Sequence, residues 1–117
     1  MPRQESGEPY LRVDSLEAHQ IIRVEPEAYQ VVDVRRDDEW INGHVSGAIH
    51  IPIDDLPDRF KEIPDGKKIL FICAAGVRSG LACEIASSLG YSPKDLFNID
   101  DGTPFWIENE LPTTYET

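Results

Sequence analysis

The segment from residue 68 to residue 90 constrains the fold more than any other part of the chain. It begins with Lys-Ile-Leu-Phe-Ile at 68–72, a short apolar run typical of a buried strand. A loop of small residues follows at 73–78, and residues 79–89 then carry apolar side chains at helical spacing. Gly90 stands where a helix commonly ends on a glycine. The segment therefore predicts a strand, a tight loop and a helix.

The same alternation of short strands and helical segments runs along the rest of the chain. We predict four further strands, at 11–13, 29–34, 48–51 and 96–99. Helical segments are predicted at 14–23, where Asp14 and Glu17 form a capping box, and at 38–42, 54–62 and 104–109. This pattern indicates an α/β fold with a central parallel five-stranded sheet and helices on both faces. A chain of 117 residues suits one domain, predicted at 10–117 after a flexible tail at 1–9.

The charge of the chain excludes several classes of partner. It has 11 basic and 22 acidic residues, a formal net charge of −11. Because a strongly acidic protein binds nucleic-acid backbones and anionic membranes poorly, we expect neither a nucleic acid nor a membrane as a partner. The acidic surface is interpreted first as a solvated surface and second as a docking face for a basic protein. The polar residues 1–9 indicate no secretory signal or membrane span, so we expect a cytoplasmic protein.

Cys73 is the candidate nucleophile. It ends the predicted strand, where backbone N–H groups of the loop and the positive end of the next helix dipole converge. Both stabilise a thiolate, the reactive form of cysteine, and Arg78 adds a positive charge nearby. A buried structural cysteine is the alternative, but the small loop residues together with Arg78 and Ser79 argue against it.

The second cysteine, Cys83, is interpreted as a packing residue. It lies in the predicted helix five residues after Arg78, so a disulfide to Cys73 would require local distortion. A resolving thiol is the alternative role. We expect no metal and no cofactor, because no zinc spacing links the cysteines to the three histidines, His19, His44 and His50.

Three predicted strand ends are expected to meet at one rim of the sheet. Cys73 ends one strand, residues 33–35 end another, and residues 100–101 end a third. Ligands of parallel α/β sheets bind in the crevice beyond the carboxyl ends of the strands. The sequence therefore predicts a functional site where these three segments converge.

Several ordered motifs run from about residue 11 to residue 112. They are Val-Asp-Val-Arg at 32–35 with Glu39-Trp40, the ten residues at 43–52, Cys-Ala-Ala-Gly-Val-Arg-Ser at 73–79, and Gly90-Tyr91, Asn98-Ile99 and 102–106 near the end. Together and in this order, the motifs resemble those of the rhodanese-like domains, the single-domain sulfurtransferases. The resemblance implies a single rhodanese-like domain whose cysteine cycles through a persulfide.

The resemblance also implies the roles of the loop residues. The Cys73 thiolate would take a sulfane sulfur from thiosulfate or from a persulfide, including a protein persulfide, and deliver it to cyanide or a thiol. Arg78 would order the loop and hold the anionic part of the donor, and Ser79 could cap the helix. The outer sulfur would bind to the backbone N–H groups of the loop, namely those of Ala74, Ala75, Gly76, Val77, Arg78 and Ser79.

Two other functions are alternatives. One is a cysteine-dependent phosphatase or arsenate reductase. A relative of this fold and the unrelated tyrosine phosphatases enclose a phosphate with a cysteine and an arginine separated by five residues, whereas four separate Cys73 from Arg78. The shorter loop makes a smaller cradle, which suits one sulfur atom better than a phosphate. The other alternative is a non-catalytic module that docks a basic partner, although such a module needs no nucleophile.

Residues around the loop have supporting interpretations. Asp33 and Arg35 are interpreted as a structural network, with Glu39 as a candidate third member, rather than as catalytic groups. His44 is expected to fix a turn, and both tryptophans to pack in the core or at the rim, with Trp106 as a candidate wall of the pocket. Asp101 stands where the family pattern has a glycine. Its carboxylate is expected either to raise the pKa of Cys73 or to pair with Arg78, and thiosulfate would then be a poorer donor.

Overall fold

The protein is described from a computed structural model that covers residues 2–116. Its strands are β1 (Leu11–Val13), β2 (Tyr29–Asp33), β3 (His44–Val45), β4 (Ile49–His50), β5 (Lys68–Ile72), β6 (Leu96–Ile99) and β7 (Thr113–Thr114). Its α-helices are α1 (Ser15–Val24), α2 (Asp37–Trp40), α3 (Leu56–Arg59), α4 (Val77–Ser88) and α5 (Gly102–Glu108). Within residues 2–116, none of the helices combines the length and apolar character that a membrane crossing requires.

Five of the strands form one sheet in the order β1-β6-β5-β2-β4, and every pair in it is parallel. The predicted α/β architecture is therefore confirmed. The central position of β5 in the sheet explains why its sequence is continuously apolar. Ile69 and Phe71 pack into the core on one face of the sheet, while Leu70 and Ile72 pack into the core on the other. A strand buried on both faces has no solvent side on which a polar residue could alternate.

Helices cover both faces, as predicted. Ala82, Cys83 and Ala86 of α4 pack in the core that contains Phe71. Ala18 of α1 and Trp106 of α5 pack in the opposite core. The predicted capping box of α1 is present, because the Asp14 side chain accepts the Glu17 N–H at 2.8 Å and Glu17 accepts the Asp14 N–H at 2.9 Å.

The helix boundaries differ from the prediction in places that matter for the site. Helix α4 begins at Val77, two residues before the predicted start, and α5 begins at Gly102 rather than at 104. The predicted helix at 54–62 is instead a series of short pieces, Ile53–Asp55, Leu56–Arg59 and Phe60–Glu62, of which the first and last are 3₁₀. The pair β3 and β7 was not predicted, because it forms between residues about 70 positions apart and depends on where the chain returns after α5.

Residues 2–9, the described part of the predicted tail, contact the domain. Arg3 and Arg12 exchange two backbone hydrogen bonds, and the Arg3 guanidinium lies 2.8 Å from an Asp100 carboxylate oxygen. The flexibility of this segment stays a prediction. Met1 and Thr117, at the ends of the two predicted ranges, lie outside the described residues.

Candidate active site

The three strand ends meet at one rim, as the sequence predicts. Asp33, Ile72 and Ile99 are in register across β2, β5 and β6, so the residues that follow them are neighbours. The N–H of Thr103, in the first turn of α5, donates to the backbone oxygen of Cys73 at 2.9 Å. The rim is thus formed by the Cys73 loop, the segment after β2 and the start of α5.

The loop turns tightly enough to point backbone N–H groups at its own cysteine. The Gly76 N–H lies 3.2 Å and the Ser79 N–H 3.3 Å from the Cys73 sulfur. Gly76 has a φ of +89°, and a Cβ there would lie 2.6 Å from the Asp100 backbone oxygen. Glycine is therefore required, for both its left-handed conformation and its close approach to Asp100. Helix α4 starts directly after it, and the N–H group of Ser79 in its first turn faces the sulfur.

These contacts determine the pKa of Cys73. Burial raises it, but hydrogen bonds from the Ser79 hydroxyl and from the backbone N–H groups of Ser79, Ala75 and Gly76 outweigh burial and bring the pKa below its ordinary value. Such donors stabilise the thiolate more than the thiol. The residue is only 1% exposed, so any reactant must reach a sulfur almost closed off from solvent.

Sequence reasoning missed the role of Asn98 in β6, which binds the Ser79 hydroxyl. The Asn98 amide nitrogen donates to the Gly76 oxygen at 3.1 Å, which leaves its Oδ1 to accept the Ser79 hydroxyl at 2.6 Å. The same hydroxyl lies 3.3 Å from the Cys73 sulfur. With one hydrogen, it can donate to Asn98 while accepting from the thiol, or turn and donate to the thiolate. The signal for Asn98 was a polar residue inside an apolar strand.

Arg78 is held by Glu39 of α2. Two parallel hydrogen bonds of 2.8 and 2.9 Å join the guanidinium to the two carboxylate oxygens. Arg78 lowers the pKa of Glu39 to about 2, so the pair stays charged at every ordinary pH. The expectation that Glu39 belongs to the Asp33–Arg35 network is wrong, since its carboxylate pairs with Arg78. The pair ties the loop to α2 and offsets the positive charge of the loop.

Asp33 and Arg35 form the buried structural network that the sequence predicts. The Arg35 guanidinium donates to both Asp33 carboxylate oxygens at 2.7–3.0 Å and also to the Gly43 oxygen at 2.9 Å. His44 accordingly fixes the turn after α2, with its Nδ1 2.8 Å from the Trp40 oxygen. The rings of His44 and His50 both stack on Trp40, an arrangement that no sequence pattern indicated.

Asp101 contacts a different partner from the one expected. Its carboxylate accepts the backbone N–H of Ser15 at 2.9 Å and the Ser15 hydroxyl at 2.7 Å, which ties the start of α1 to the start of α5. The predicted pairing with Arg78 is therefore wrong. The expected effect of Asp101 on the pKa of Cys73 stays a prediction, although hydrogen bonds from the loop lower that pKa overall.

The remaining candidates lie away from the Cys73 sulfur. Cys83 is fully buried in the core beneath α4, and burial raises its pKa well above the ordinary value. Trp106 is buried on the opposite face of the sheet and does not wall the Cys73 loop. In the described part of the chain, no three His, Cys, Asp or Glu side chains are grouped as a metal site.

A groove of about 380 Å³ opens beside the loop. Its lining includes Ala74 of the loop, Thr103 of α5, and both Arg35 and Glu39. The groove therefore lies between Glu39, the partner of Arg78, and Ala74 of the loop that holds Cys73. The groove is thus a space beside the loop in which a small donor could lie.

Comparison with known proteins gives consistent results. A model of the rhodanese-like domain family matches residues 17–109. A sulfurtransferase of Allochromatium vinosum is 30% identical over 82 residues, covering 70% of this chain and 75% of that protein. The thiosulfate:glutathione sulfurtransferase of Saccharomyces cerevisiae is 38% identical over 80 residues, covering 57% of this chain and 58% of that protein. The crystal structure of a rhodanese-related protein from Thermoplasma volcanium has a TM-score of 0.74 at 32% identity, covering 90% of this chain and 98% of that one.

Proposed function

This chain belongs to the rhodanese-like domain family, and on that basis we propose that it is a sulfurtransferase working through a persulfide of Cys73. One observation carries the proposal. Backbone N–H groups of Gly76 and Ser79 point at the Cys73 sulfur from 3.2 and 3.3 Å. Such preorganised donors stabilise negative charge on that sulfur, and on a second sulfur attached to it, without reorganisation during the reaction.

The proposed reaction has two steps. In the first, the Cys73 thiolate attacks the outer sulfur of thiosulfate; the new S–S bond forms as the old one breaks, and sulfite leaves with the electron pair. A persulfide donor reacts in the same way and leaves as a thiolate. In the second step, cyanide or a thiolate attacks the outer sulfur of the Cys73 persulfide, takes it as thiocyanate or as a new persulfide, and regenerates the Cys73 thiolate. In each step the attacking group supplies one electron pair and the leaving group takes one, so the reaction needs no other oxidant or reductant.

We infer that persulfides are better donors than thiosulfate. Thiosulfate is a dianion and gains most from a free cation, but the Arg78 guanidinium already donates to both oxygens of Glu39. The other side chains of the loop, those of Ala74, Ala75, Val77 and Ser79, carry no charge. A low-molecular-weight or protein persulfide needs no such cation, because its sulfane sulfur is presented on a carbon-bound sulfur. The yeast relative, by its name, uses glutathione, and a thiol acceptor fits this chain equally.

Phosphatase chemistry has less support. It needs a carboxylic acid free to protonate a leaving group, and the two acidic candidates at the rim are engaged. Asp33 accepts from Arg35, and Asp101 accepts from Ser15. The alternative of a non-catalytic binding module does not explain why the pKa of Cys73 is lowered.

Intact-mass spectrometry tests the proposal. The purified reduced protein is incubated with thiosulfate or, separately, with glutathione persulfide, and then with cyanide. We expect a gain of one sulfur atom that cyanide removes, that forms faster with glutathione persulfide, and that is absent in Cys73→Ser. Cys83→Ser is the matched control and should gain the sulfur normally. If neither donor modifies Cys73 of the folded protein, the sulfurtransferase proposal is wrong and the binding module is favoured.

A further inference from the structure

A second cavity lies at the opposite end of the sheet from Cys73. It has a volume of about 290 Å³ and is bordered by α1, the start of β2 and the turn between β3 and β4. Tyr29 and Gln30, which line it, begin β2, whereas the residues beside the Cys73 loop follow the end of that strand. No residue of the loop at 73–79 is among those that line this cavity. The cavity is therefore separate from the proposed sulfur-transfer site.

The walls of this cavity are aromatic and aliphatic. Trp106 and Val45 are almost fully buried at its lining, and the ring of Tyr29 lies beside them. Ile22 of α1 adds a further apolar side chain. A concave apolar surface with a few polar groups is the usual composition of a small-molecule site, although this volume lies at the small end of the range. A volume of about 290 Å³ would accommodate a compound of up to three aromatic rings.

The charged groups at the cavity are basic, although the chain as a whole is strongly acidic. Arg23 and Lys67 line it, and none of the described residues that line it is Asp or Glu. The net charge of the chain is −11, so the positive charges at this cavity are opposite in sign to the charge of the protein as a whole.

Arg23 differs from the other arginines in having no carboxylate partner among residues 2–116. Within residues 2–116, the six other arginines each form an ion pair with Asp or Glu, namely Arg3, Arg12, Arg35, Arg36, Arg59 and Arg78. Arg23 and Lys67 form no ion pair with any described residue. Two positive side chains therefore remain available to a ligand at the mouth of an apolar cavity.

We propose that this cavity binds a small aromatic anion, a carboxylate or sulfonate. Its ring would pack against Trp106 and Tyr29, and its anionic group would accept hydrogen bonds from Arg23, with Lys67 adding charge. The apolar walls supply the affinity for the ring, and the cationic mouth supplies the selectivity for an anion over a neutral analogue. This proposal is independent of the chemistry at Cys73.

The test uses a fluorescent probe and its neutral counterpart. Binding of 8-anilinonaphthalene-1-sulfonate is followed by fluorescence titration, and N-phenyl-1-naphthylamine supplies the same rings without the sulfonate. We expect saturable one-to-one binding of the sulfonate and weaker binding of the neutral compound. Arg23→Gln should weaken sulfonate binding about tenfold, the effect of one charge-assisted hydrogen bond, and leave the neutral compound unaffected.

Two controls make the result specific to this cavity. Lys94→Gln removes the same charge from a side chain that forms no ion pair with described residues and does not line the cavity, so it should bind the sulfonate as the wild type does. Cys73→Ser should also bind it normally. The proposal is overturned if the sulfonate does not bind, if the neutral compound binds equally well, if Arg23→Gln and Lys94→Gln have the same effect, or if binding is lost in Cys73→Ser.

Discussion

At the scale of single residues, the charge on the Cys73 sulfur depends on the hydrogen-bond donors that face it. The N–H groups of Gly76 and Ser79 are fixed by the backbone, whereas the Ser79 hydroxyl can turn. In the thiol form it donates to Asn98, and in the thiolate form it can donate to the Cys73 sulfur. Asn98 and Cys73 therefore compete for one proton, and Ser79 adjusts to the charge on the sulfur.

Replacing Ser79 should raise the pKa of Cys73. The variant Ser79→Ala removes one donor to the thiolate while keeping the backbone N–H. One hydrogen bond to a charged group is worth about 1.5–3 kcal/mol, so the pKa should rise by roughly one to two units. The measurement is the pH dependence of Cys73 alkylation by iodoacetamide, followed by peptide mass spectrometry. Ser87→Ala, in the last turn of the same helix, is the matched control and should leave the midpoint unchanged; an equal midpoint in Ser79→Ala would show that the hydroxyl does not act on the thiolate.

The sequence predicted the local structure around Cys73 better than it predicted the partners of the neighbouring side chains. Cys73 and its loop follow from a local pattern of strand, small residues and helix, and the structure has that pattern. The partners of Arg78 and Asp101 could not be predicted, because Glu39 and Ser15 lie 39 and 86 residues away along the chain. Their approach depends on how α2 and α1 pack on the sheet.

At the scale of elements, the start of α5 supports the Cys73 loop. Gly102 has a φ of +81°, and a Cβ there would overlap the backbone oxygen of Ala74. The neighbouring Thr103 donates both its N–H and its hydroxyl to the Cys73 oxygen, at 2.9 and 3.2 Å. The strand end before the loop and the helix after β6 are therefore in direct backbone contact, and neither can shift alone.

Adding a methyl group at Gly102 should destabilise the protein strongly. Gly102→Ala combines left-handed strain with overpacking, and we expect a loss of at least about 3 kcal/mol of unfolding free energy, measured by urea denaturation. Gly66→Ala is the matched control. Gly66 has a similar φ of +79° but no atom within 4 Å of the added Cβ. Gly66→Ala should lose only the unfolding free energy that left-handed backbone strain costs, about 1–2 kcal/mol. Equal losses in the two variants would refute the proposed contact with Ala74.

The Glu39–Arg78 pair, which joins α2 to α4, predicts an effect on donor choice. Glu39→Gln leaves an amide in place of the carboxylate and frees part of the Arg78 charge for an anionic donor. The KM for thiosulfate should therefore fall several-fold, while the KM for glutathione persulfide changes less. Asp38→Asn removes the same charge from an exposed neighbour that pairs with Arg36, so it controls for net charge. A higher KM for thiosulfate in Glu39→Gln would mean that Arg78 needs Glu39 to be oriented for the donor.

At the scale of the whole molecule, the sheet was predictable and its short antiparallel pair was not. Five strands with helices on both faces follow from alternating apolar runs, because each parallel strand buries both its faces. The pair β3 and β7 joins residues 44–45 to residues 113–114, and its formation depends on where the chain returns after α5. The N-terminal contacts of Arg3 were also unpredicted, since they depend on Arg12 and Asp100.

The net charge of −11 predicts that salt stabilises the protein. Like charges on a compact chain repel, and ions screen that repulsion more than they weaken buried pairs such as Asp33–Arg35. The Tm at pH 7 should therefore rise as NaCl is increased from about 0.01 to 0.5 M, where the screening length falls severalfold. Near the isoelectric point of about 4.5 the same series should change the Tm little. A Tm that falls with salt at pH 7 would show that exposed ion pairs outweigh the repulsion.

The central claim is that hydrogen bonds from the loop keep the Cys73 sulfur anionic, and one titration tests it directly. The rate of Cys73 alkylation in the folded, reduced protein is measured from pH 5 to pH 10, with free cysteine as the reference. The structure predicts a midpoint clearly below that of free cysteine, about 8.5, because donors lower the pKa of Cys73 despite its burial. A midpoint at or above the free value would contradict the account, since the thiol would then be an ordinary buried cysteine.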